Sequence, residues 1–464
     1  MDAEQFALTA LRSLPYDPNE QQLTVLAALS RFITMPFDGS DRVFVLNGYA
    51  GTGKTSLTGA VVKALEAFSR PVVLLAPTGR AAKVFGRFAG RQAYTIHRHI
   101  YRTSSLGEYA AGINDNKLTG AVFLVDEASM IGDGGMDRNL LEDLIHYVYG
   151  GIGCRMVLIG DTAQLPPVGA DESPAMQPEV LRGYGLKVTR AVMTETVRQS
   201  RLSGILWNAT WLRKALRQPV LPPPVMLTSR FDDVREVEGE ELADAISSDY
   251  SRDGVEQTIV VTRSNNRATR FNLSIRTLIN MSEEELVRGE RIMVAKNNYH
   301  WTHQIPGVDF IANGDMAVIE SIHGLESRYG LRFADVTLTL PDRDAVVDCK
   351  IILDALVTDA PALDGDKLMR LRDGVLAEHG GNMLSPSAAV RILRGDPYFN
   401  ALQVKYAYAV TCHKAQGGQW KNVYIDLGYV PEDTPGKDFY RWLYTAVTRA
   451  TGRVNLISPV IETR

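Results

Sequence analysis

Gly48-Tyr-Ala-Gly-Thr-Gly-Lys54-Thr55 follows the apolar run Arg42-Val-Phe-Val-Leu-Asn47 and leads into Ser56-Leu-Thr-Gly-Ala-Val-Val. The spacing is G-x-x-x-x-G-K-T. A strand, a glycine loop and a helix in that order aim successive backbone N–H groups and a helix N-terminus at one point. Gly51 and Gly53 let the main chain come close, with Thr52 between them and Ser56 opening the helix. Lys54 has the reach for β and γ phosphates, and Thr55 carries a hydroxyl suited to Mg²⁺. A triphosphate fits that point, so ATP with Mg²⁺ is the expected cofactor pair.

Outward from the loop, short β-branched runs alternate with helical stretches as far as Arg190: Val43 to Leu46, Val72 to Ala76, Val122 to Val125, Met156 to Ile159 and Leu186 to Val188. This pattern predicts an α/β fold with a parallel sheet covered on both faces. Ligands of such sheets sit at the carboxyl ends of the strands. The third run ends in Asp126-Glu127, where the first carboxylate can hold Mg²⁺ and the second can take a proton from an attacking water. The fourth ends in Gly160-Asp161-Thr-Ala-Gln164, which brings Gln164 within reach of a γ-phosphate. The second ends in Ala76-Pro-Thr78-Gly-Arg80-Ala-Ala-Lys83, with Thr95-Ile-His97 close behind. Hydroxyls and basic groups at Thr78, Arg80, Thr95 and His97 suit a phosphodiester chain lying across the same rim.

Charge supports that reading locally rather than globally. The 464 residues carry a formal charge of −4, which argues against a wholly basic surface. Between Glu66 and Glu108, however, no acidic residue occurs, while Arg70, Arg80, Lys83, Arg87, Arg91, Arg98 and Arg102 do. Such an interval lines a polyanion track, or it is a solvated face whose counter-charges come from elsewhere in the fold. No apolar run reaches the roughly 18 residues of a membrane span, and Met1-Asp-Ala-Glu-Gln lacks the basic start of a signal peptide. A cytoplasmic protein without a membrane partner is expected. Cys154, Cys349 and Cys412 are far apart and form no C-x-x-C pair, so they read as small core residues.

Ahead of the loop, Asn19-Glu-Gln-Gln22 has the form of a capping box, and Val25, Leu26, Leu29, Phe32 and Ile33 repeat at helical spacing. Gln22 has two readings, a helix cap or a reader of an adenine edge. Between Arg98 and Leu118 lies a polar insertion containing Tyr101 and Tyr109, whose aromatics either stack on bases or pack.

The boxes and their order resemble superfamily 1 helicases of the 5′→3′ subgroup, in particular RecD-like and Dda-like proteins. The later boxes are Thr194-Glu-Thr-Val-Arg198-Gln199, Val260-Val-Thr-Arg-Ser-Asn265, Asn313-Gly-Asp315, Val410-Thr411-Cys-His413-Lys414-Ala-Gln416-Gly417 and Tyr444-Thr-Ala-Val-Thr-Arg449-Ala450. The resemblance covers most of the chain. It implies two RecA-like parallel-sheet motor domains with ATP between them, the first over residues 1–190 and the second over 191–288 plus 403–464. Val260, Val294, Val423 to Ile425 and Val454 to Ile457 would mark strands of the second. Arg198 and Arg449 would be arginine fingers on the phosphoryl group, Gln416 and Gly417 would lie at the nucleotide, and Asn265, Thr411 and His413 at the strand.

It further implies a pin-like β-hairpin at 98–118 and a barrel like a Src-homology-3 domain inserted at 289–402. Short runs at Ile292 to Ala295, Met316 to Ile319, Val336 to Leu340 and Val346 to Leu353 fit the barrel, while a helical run from Asp366 to Glu378 matches no box. Pro341-Asp342 and Asp348-Cys-Lys350 have the look of a nuclease metal box but read as a β-hairpin. The implied activity is ATP-driven 5′→3′ movement on single-stranded DNA with separation of duplex at single/double-strand junctions. The alternatives are a translocase that unwinds weakly and a nucleotide-gated subunit of a recombination complex. A monomer is expected, with a partner protein left open.

Overall fold

The apolar runs around the phosphate loop become the strands of one six-stranded parallel sheet: β1 (Arg42–Gly48), β2 (Val72–Ala76), β3 (Tyr94–Thr95), β4 (Val122–Val125), β5 (Arg155–Gly160) and β6 (Lys187–Met193), in the order β3-β2-β4-β5-β1-β6. The computed structural model describes residues 2–101, 112–132, 139–195, 203–302, 310–342, 344–430 and 436–464. Alternation along β1 divides its side chains between two cores. Phe44 and Leu46 join the helices Ala3–Arg12, Glu20–Thr34, Lys54–Ala67 and Gly79–Ala89 on one face. Val43 and Val45 join Ile96, Leu141, Leu144 and Leu181 on the other. A strand buried on both faces explains why these runs are continuously apolar.

Downstream come β7 (Val225–Met226), β8 (Val234–Val237) and β9 (Thr258–Thr262), then a closed barrel of β10 (Arg291–Val294), β11 (Met316–Arg328), β12 (Leu331–Leu340), β13 (Ala345–Ile352) and β14 (Leu402–Tyr406). The chain returns through β15 (Ala409–Thr411), β16 (Trp420–Ile425) and β17 (Ala450–Ile457), and β18 (Glu462–Thr463) pairs with β7. The second sheet is parallel with order β15-β9-β16-β17-β8. Ile259, Val261, Val423 and Ile425 pack on one face with the helices Gly204–Ala215 and Lys437–Val447. Val260 and Tyr424 face the barrel side. Two parallel-sheet α/β domains with a barrel inserted in the second are therefore present.

Some boundaries differ from expectation. The first sheet runs to Met193 rather than ending by 190, and β14 closes the barrel through antiparallel pairing with β10 and parallel pairing with β13. Residues 403–406 thus belong to the barrel, not to the second motor sheet. Val294 also lies in the barrel, because β10 pairs with β11 and β14. The helix Gly365–Glu378 has a packing role: Leu371 and Val375 cover Leu331 and Phe333 outside the barrel. β12 and β13 pair antiparallel with Leu340 opposite Ala345, so the nuclease-like stretch is a hairpin. Of the pin-like insertion only the flanks are described. Tyr101 bridges Ile113 in antiparallel sense, whereas Tyr109 lies outside the described residues.

A buried ion pair joins the barrel to the second domain. Arg276 Nε donates to both carboxylate oxygens of Glu290 at 3.0 Å, and the Tyr408 hydroxyl donates to Glu290 Oε1 at 2.9 Å. The guanidinium also stacks 4.3 Å from the Tyr406 ring centre. Arg276→Met would leave a buried carboxylate with a single hydroxyl donor from Tyr408. We expect it to destabilise the fold by about 3–5 kcal/mol, measured as a lowered denaturation midpoint; an unchanged midpoint would show that the pair contributes nothing.

Candidate nucleotide cleft and strand-facing rim

Beyond β1 the loop turns through Gly51 at φ 75° and Gly53 at φ 83°, and the helix Lys54–Ala67 starts at once. A Cβ on Gly53 would lie 2.5 Å from the Tyr16 hydroxyl and 2.6 Å from Gln22 Nε2, so only glycine fits. Thr52 is fully buried and its hydroxyl donates to Tyr49 O at 2.8 Å, as its N–H does at 3.3 Å, so the residue holds the turn of the loop. Lys54 Nζ donates to the carbonyls of Gly48 and Tyr49. Thr55 and Ser56 begin the helix, where N–H groups lack intrahelical acceptors.

Gln22 satisfies the cap reading. Asn19 N–H donates to its Oε1 at 3.0 Å, completing the box. Its Nε2 donates to Thr52 O at 2.9 Å and to the Tyr16 hydroxyl at 3.3 Å. One end of the amide caps the helix and the other holds the loop, so both are engaged within the fold.

At the end of β4, burial and the neighbouring Glu127 charge push the Asp126 carboxyl up to about 7, while Lys54 pulls it down. Glu127 adopts φ 52°, and its N–H donates to Asp126 Oδ1 at 2.9 Å. A left-handed non-glycine residue costs on the order of 1–3 kcal/mol and is held only when its surroundings demand it. No group of three or more His, Cys, Asp or Glu gathers among the described residues. Thr55 and Asp126 alone fit a hard cation that keeps water and phosphate oxygens in its shell, as Mg²⁺ does.

From β5, Gln164 enters the same region. Its Oε1 is buried and without a hydrogen-bond partner among the described residues. A lone buried acceptor beside the phosphate loop's neighbours suits a position that meets a ligand or its water.

The second domain reaches this region directly. Ala50 N–H donates to the Tyr444 hydroxyl at 2.9 Å, which donates to Asp161 Oδ2 at 2.6 Å. Leu165 N–H donates to Thr445 Oγ1 and Gln416 Nε2 donates to Leu165 O, each at 2.8 Å. Gln416 therefore grips the cleft through the first domain's backbone. Gly417, expected at the nucleotide, instead lies against Thr78, where a Cβ would come 3.1 Å from Thr78 Oγ1.

Arg449 also differs from expectation. It is buried, and its guanidinium donates to Thr445 O, Gly418 O and Thr448 Oγ1 at 3.1–3.3 Å. The C-terminal carbonyls of the helix Lys437–Val447 attract a cation there. Acting as a finger would require those bonds to break. Arg198 lies outside the described residues.

The strand-end residues expected to meet nucleic acid form a second row on the same rim. Thr78 and Thr95 cap short helices, accepting from Ala81 N–H at 3.2 Å and Arg98 N–H at 3.3 Å. Arg80 stacks 3.9 Å from the Trp420 ring centre and donates to Gln419 O at 3.2 Å, crossing between domains. Burial lowers its pKa to about 10, which leaves it charged at neutral pH. The His97 ring lies 5.7 Å from Tyr101 and 6.3 Å from Phe310.

On the second domain, Asn265 opens the helix Asn265–Leu278 and Thr411 precedes the turn Cys412–Ala415, with His413 exposed. Lys414 donates to Asn313 Oδ1, joining two of the later boxes. Lys83, Arg87, Arg91, Tyr94 and Arg98 line a groove of about 430 Å³ closed on one side by Asp342 and Asp344 of the barrel turn. Counter-charges do come from elsewhere: Lys83 pairs with Asp344 at 3.6 Å and Arg91 with Glu66 at 2.9 Å. Tyr101 donates to Asp143 Oδ2 at 2.6 Å, which makes it a packed anchor at the base of the insertion.

Tyr444, Thr445 and Asp161 were not singled out from the sequence, although all three lie inside quoted boxes. A tyrosine in an otherwise apolar buried helix face was the available signal, since a buried hydroxyl needs a partner.

A phosphate loop clamped between two parallel-sheet domains, with two adjacent carboxylates and a row of polar strand ends on one rim, defines a two-domain P-loop architecture. Residues 27–214 match the model of an AAA domain, and residues 406–457 match that of a UvrD-like helicase C-terminal domain. Both matches, in that order along the chain, fit the resemblance to superfamily 1 helicases of the RecD-like and Dda-like type.

The ATP-dependent RecD2 DNA helicase of Deinococcus radiodurans is 39% identical over 155 residues, 33% of this chain and 19% of that protein. The ATP-dependent DNA helicase dda of Enterobacteria phage T4 is 33% identical over 137 residues, 28% of this chain and 29% of its own. The chain thus spans less than a third of either relative. Among solved structures, a Pif1 helicase from Bacteroides in complex with ADP-AlF3 and ssDNA aligns over 96% of this chain and 93% of that one. Its identity is 15% and the TM-score is 0.48. Among the described residues no helix is long and apolar enough to cross a membrane.

Proposed function

We propose that this chain is an ATP-dependent DNA helicase that moves 5′→3′ on single-stranded DNA and opens duplex at a junction. One observation carries the reading: the same two domains share both the phosphate loop, through Ala50 and Tyr444, and the strand-facing rim, through Arg80 and Trp420. Closure at one is felt at the other. ATP held by the loop would place its phosphates at Lys54 and the helix N-terminus, with Mg²⁺ between Thr55 and Asp126. Glu127 takes the proton of the attacking water, Gln164 meets the terminal phosphate or that water, and Arg198 and Arg449 supply positive charge as the cleft closes. Thr78, Arg80, Thr95, His97, Asn265, Thr411 and His413 hold the strand through backbone and stacking contacts, which are sequence-tolerant. Alternating grip by the two domains then becomes directed movement. Polarity, DNA rather than RNA, a monomeric state and a cytoplasmic location belong to this proposal.

The test uses partial duplexes carrying a 5′ or a 3′ single-stranded tail, with ATP and Mg²⁺. Opening of the 5′-tailed substrate alone is expected. Opening of the 3′-tailed substrate alone would reverse the polarity. If neither opens while single-stranded DNA still stimulates hydrolysis, the chain is a translocase or a partner-dependent subunit.

A further inference from the structure

Tyr444 stands where three parts of the proposed motor meet. It lies on the helix Lys437–Val447 of the second domain, fully buried, yet its hydroxyl touches nothing but first-domain groups among the hydrogen bonds described. That oxygen accepts from Ala50 N–H inside the phosphate loop, and its proton goes to Asp161 Oδ2. The other oxygen of Asp161 accepts from Ala163 N–H at 3.0 Å, so the carboxylate also fixes the turn that carries Gln164. Thr445 and Gln416 bind Leu165 from the same side. The neighbouring Tyr49 is gripped as well: Arg217 donates to its hydroxyl at 2.6 Å and Arg213 stacks 4.2 Å from its ring centre.

We infer that Tyr444 is a positioning residue that links the phosphate loop to the Asp161–Leu165 segment, so that the occupancy of the loop is read by the second motor domain and coupled to the strand. The inference rests on the motor reading above and adds a route for its coupling. Burial beside Asp161 raises the phenol well above its ordinary value, so the hydroxyl keeps the proton it donates. The donor to Asp161 is charge-assisted, and the acceptor takes a backbone N–H of the kind a phosphate loop turns toward its ligand. One hydroxyl is thus bonded to both ends of a relay, whereas the ring serves the core of the second domain.

Tyr444→Phe keeps the ring and removes the relay. ATPase rates with and without single-stranded DNA, the Kd for a fluorescent ATP analogue and the Kd for the strand would be measured beside the melting temperature. We expect the DNA-stimulated kcat to fall by about tenfold, as for loss of a charge-assisted hydrogen bond. The basal kcat and both Kd values should stay within about threefold, a difference of under 1 kcal/mol. A hydroxyl that only supports the fold would lower the melting temperature and leave the ratio of stimulated to basal rate unchanged. That unchanged ratio in a folded variant overturns the inference. Should the variant not fold, Thr445→Val takes its place: it removes the acceptor for Leu165 N–H from the same clamp, along with a hydroxyl donor to Arg441 O within its own helix, and it is read by the same ratio. A wild type whose hydrolysis ignores DNA sinks the motor reading. The coupling inferred for Tyr444 falls with it, because no strand effect is left for the hydroxyl to carry.

Discussion

Glu127→Gln is expected to lower kcat for ATP hydrolysis by about 10²–10⁴-fold, the usual contribution of a positioned general base, while ATP still binds. Its backbone explains why the effect should be confined to chemistry. Glu127 sits at φ 52° directly after β4, and its N–H is fixed by Asp126. Glutamine keeps that geometry, the size of the side chain and its hydrogen-bonding capacity, and loses only the ability to take a proton. Removing the charge also relieves one of the two influences that push Asp126 up, so metal-dependent nucleotide binding should be preserved or strengthened. Phosphate release gives kcat, and a fluorescent ATP analogue gives Kd. A kcat within about threefold of wild type would remove Glu127 from the role of base and leave the water to another group.

Lys54→Ala should be the second large effect, with hydrolysis reduced by about 10²–10³-fold and duplex opening lost. The ammonium is the one charged donor on the loop, held ready by the carbonyls of Gly48 and Tyr49. Its loss frees those carbonyls without dismantling the loop, which Thr52, Gln22 and Tyr444 continue to hold. The melting temperature should therefore move by only a few degrees, equivalent to about 1 kcal/mol or less. Hydrolysis within about tenfold of wild type would show that the phosphates are neutralised elsewhere. In the tailed-duplex experiment this variant is the control that ties opening to ATP.

What the sequence made legible follows from the range of each signal. The phosphate loop, Asp126-Glu127 and the strand ends are each patterns contained within about ten residues of chain. Glycine conformation, β-alternation and the rule that ligands sit at strand ends act over that distance. The barrel is legible as short runs between turns, but not the role of Leu402–Tyr406, because nothing in Leu402-Gln-Val-Lys-Tyr406 says which sheet it joins and only its pairing does.

Tyr444 and Ala50 are 394 positions apart. No periodicity connects them, and in the chain a tyrosine beside leucine reads as core. Arg449 illustrates the opposite case. Its box was recognised through the resemblance, yet its orientation depends on which carbonyls the fold leaves open, and the helix end supplied them. Gln22 has two readings in the sequence because a capping amide and a ligand-reading amide look alike until both of its ends are accounted for.

The junction between β14 and β15 sets how movement would leave the cleft. Only Ala407 and Tyr408 separate the two strands. Tyr408 O accepts from Val260 N–H of the motor sheet, and its hydroxyl is held by Glu290 beside the barrel. So short a connection, bonded on both sides, has no hinge. In the proposed motor the barrel and the second sheet would therefore turn as one piece, with the long hairpin of β11 and β12 as a far arm and the helix bearing Tyr444 as the near one. A rotation begun at the phosphate loop would then be carried out to the hairpin tip near Tyr329.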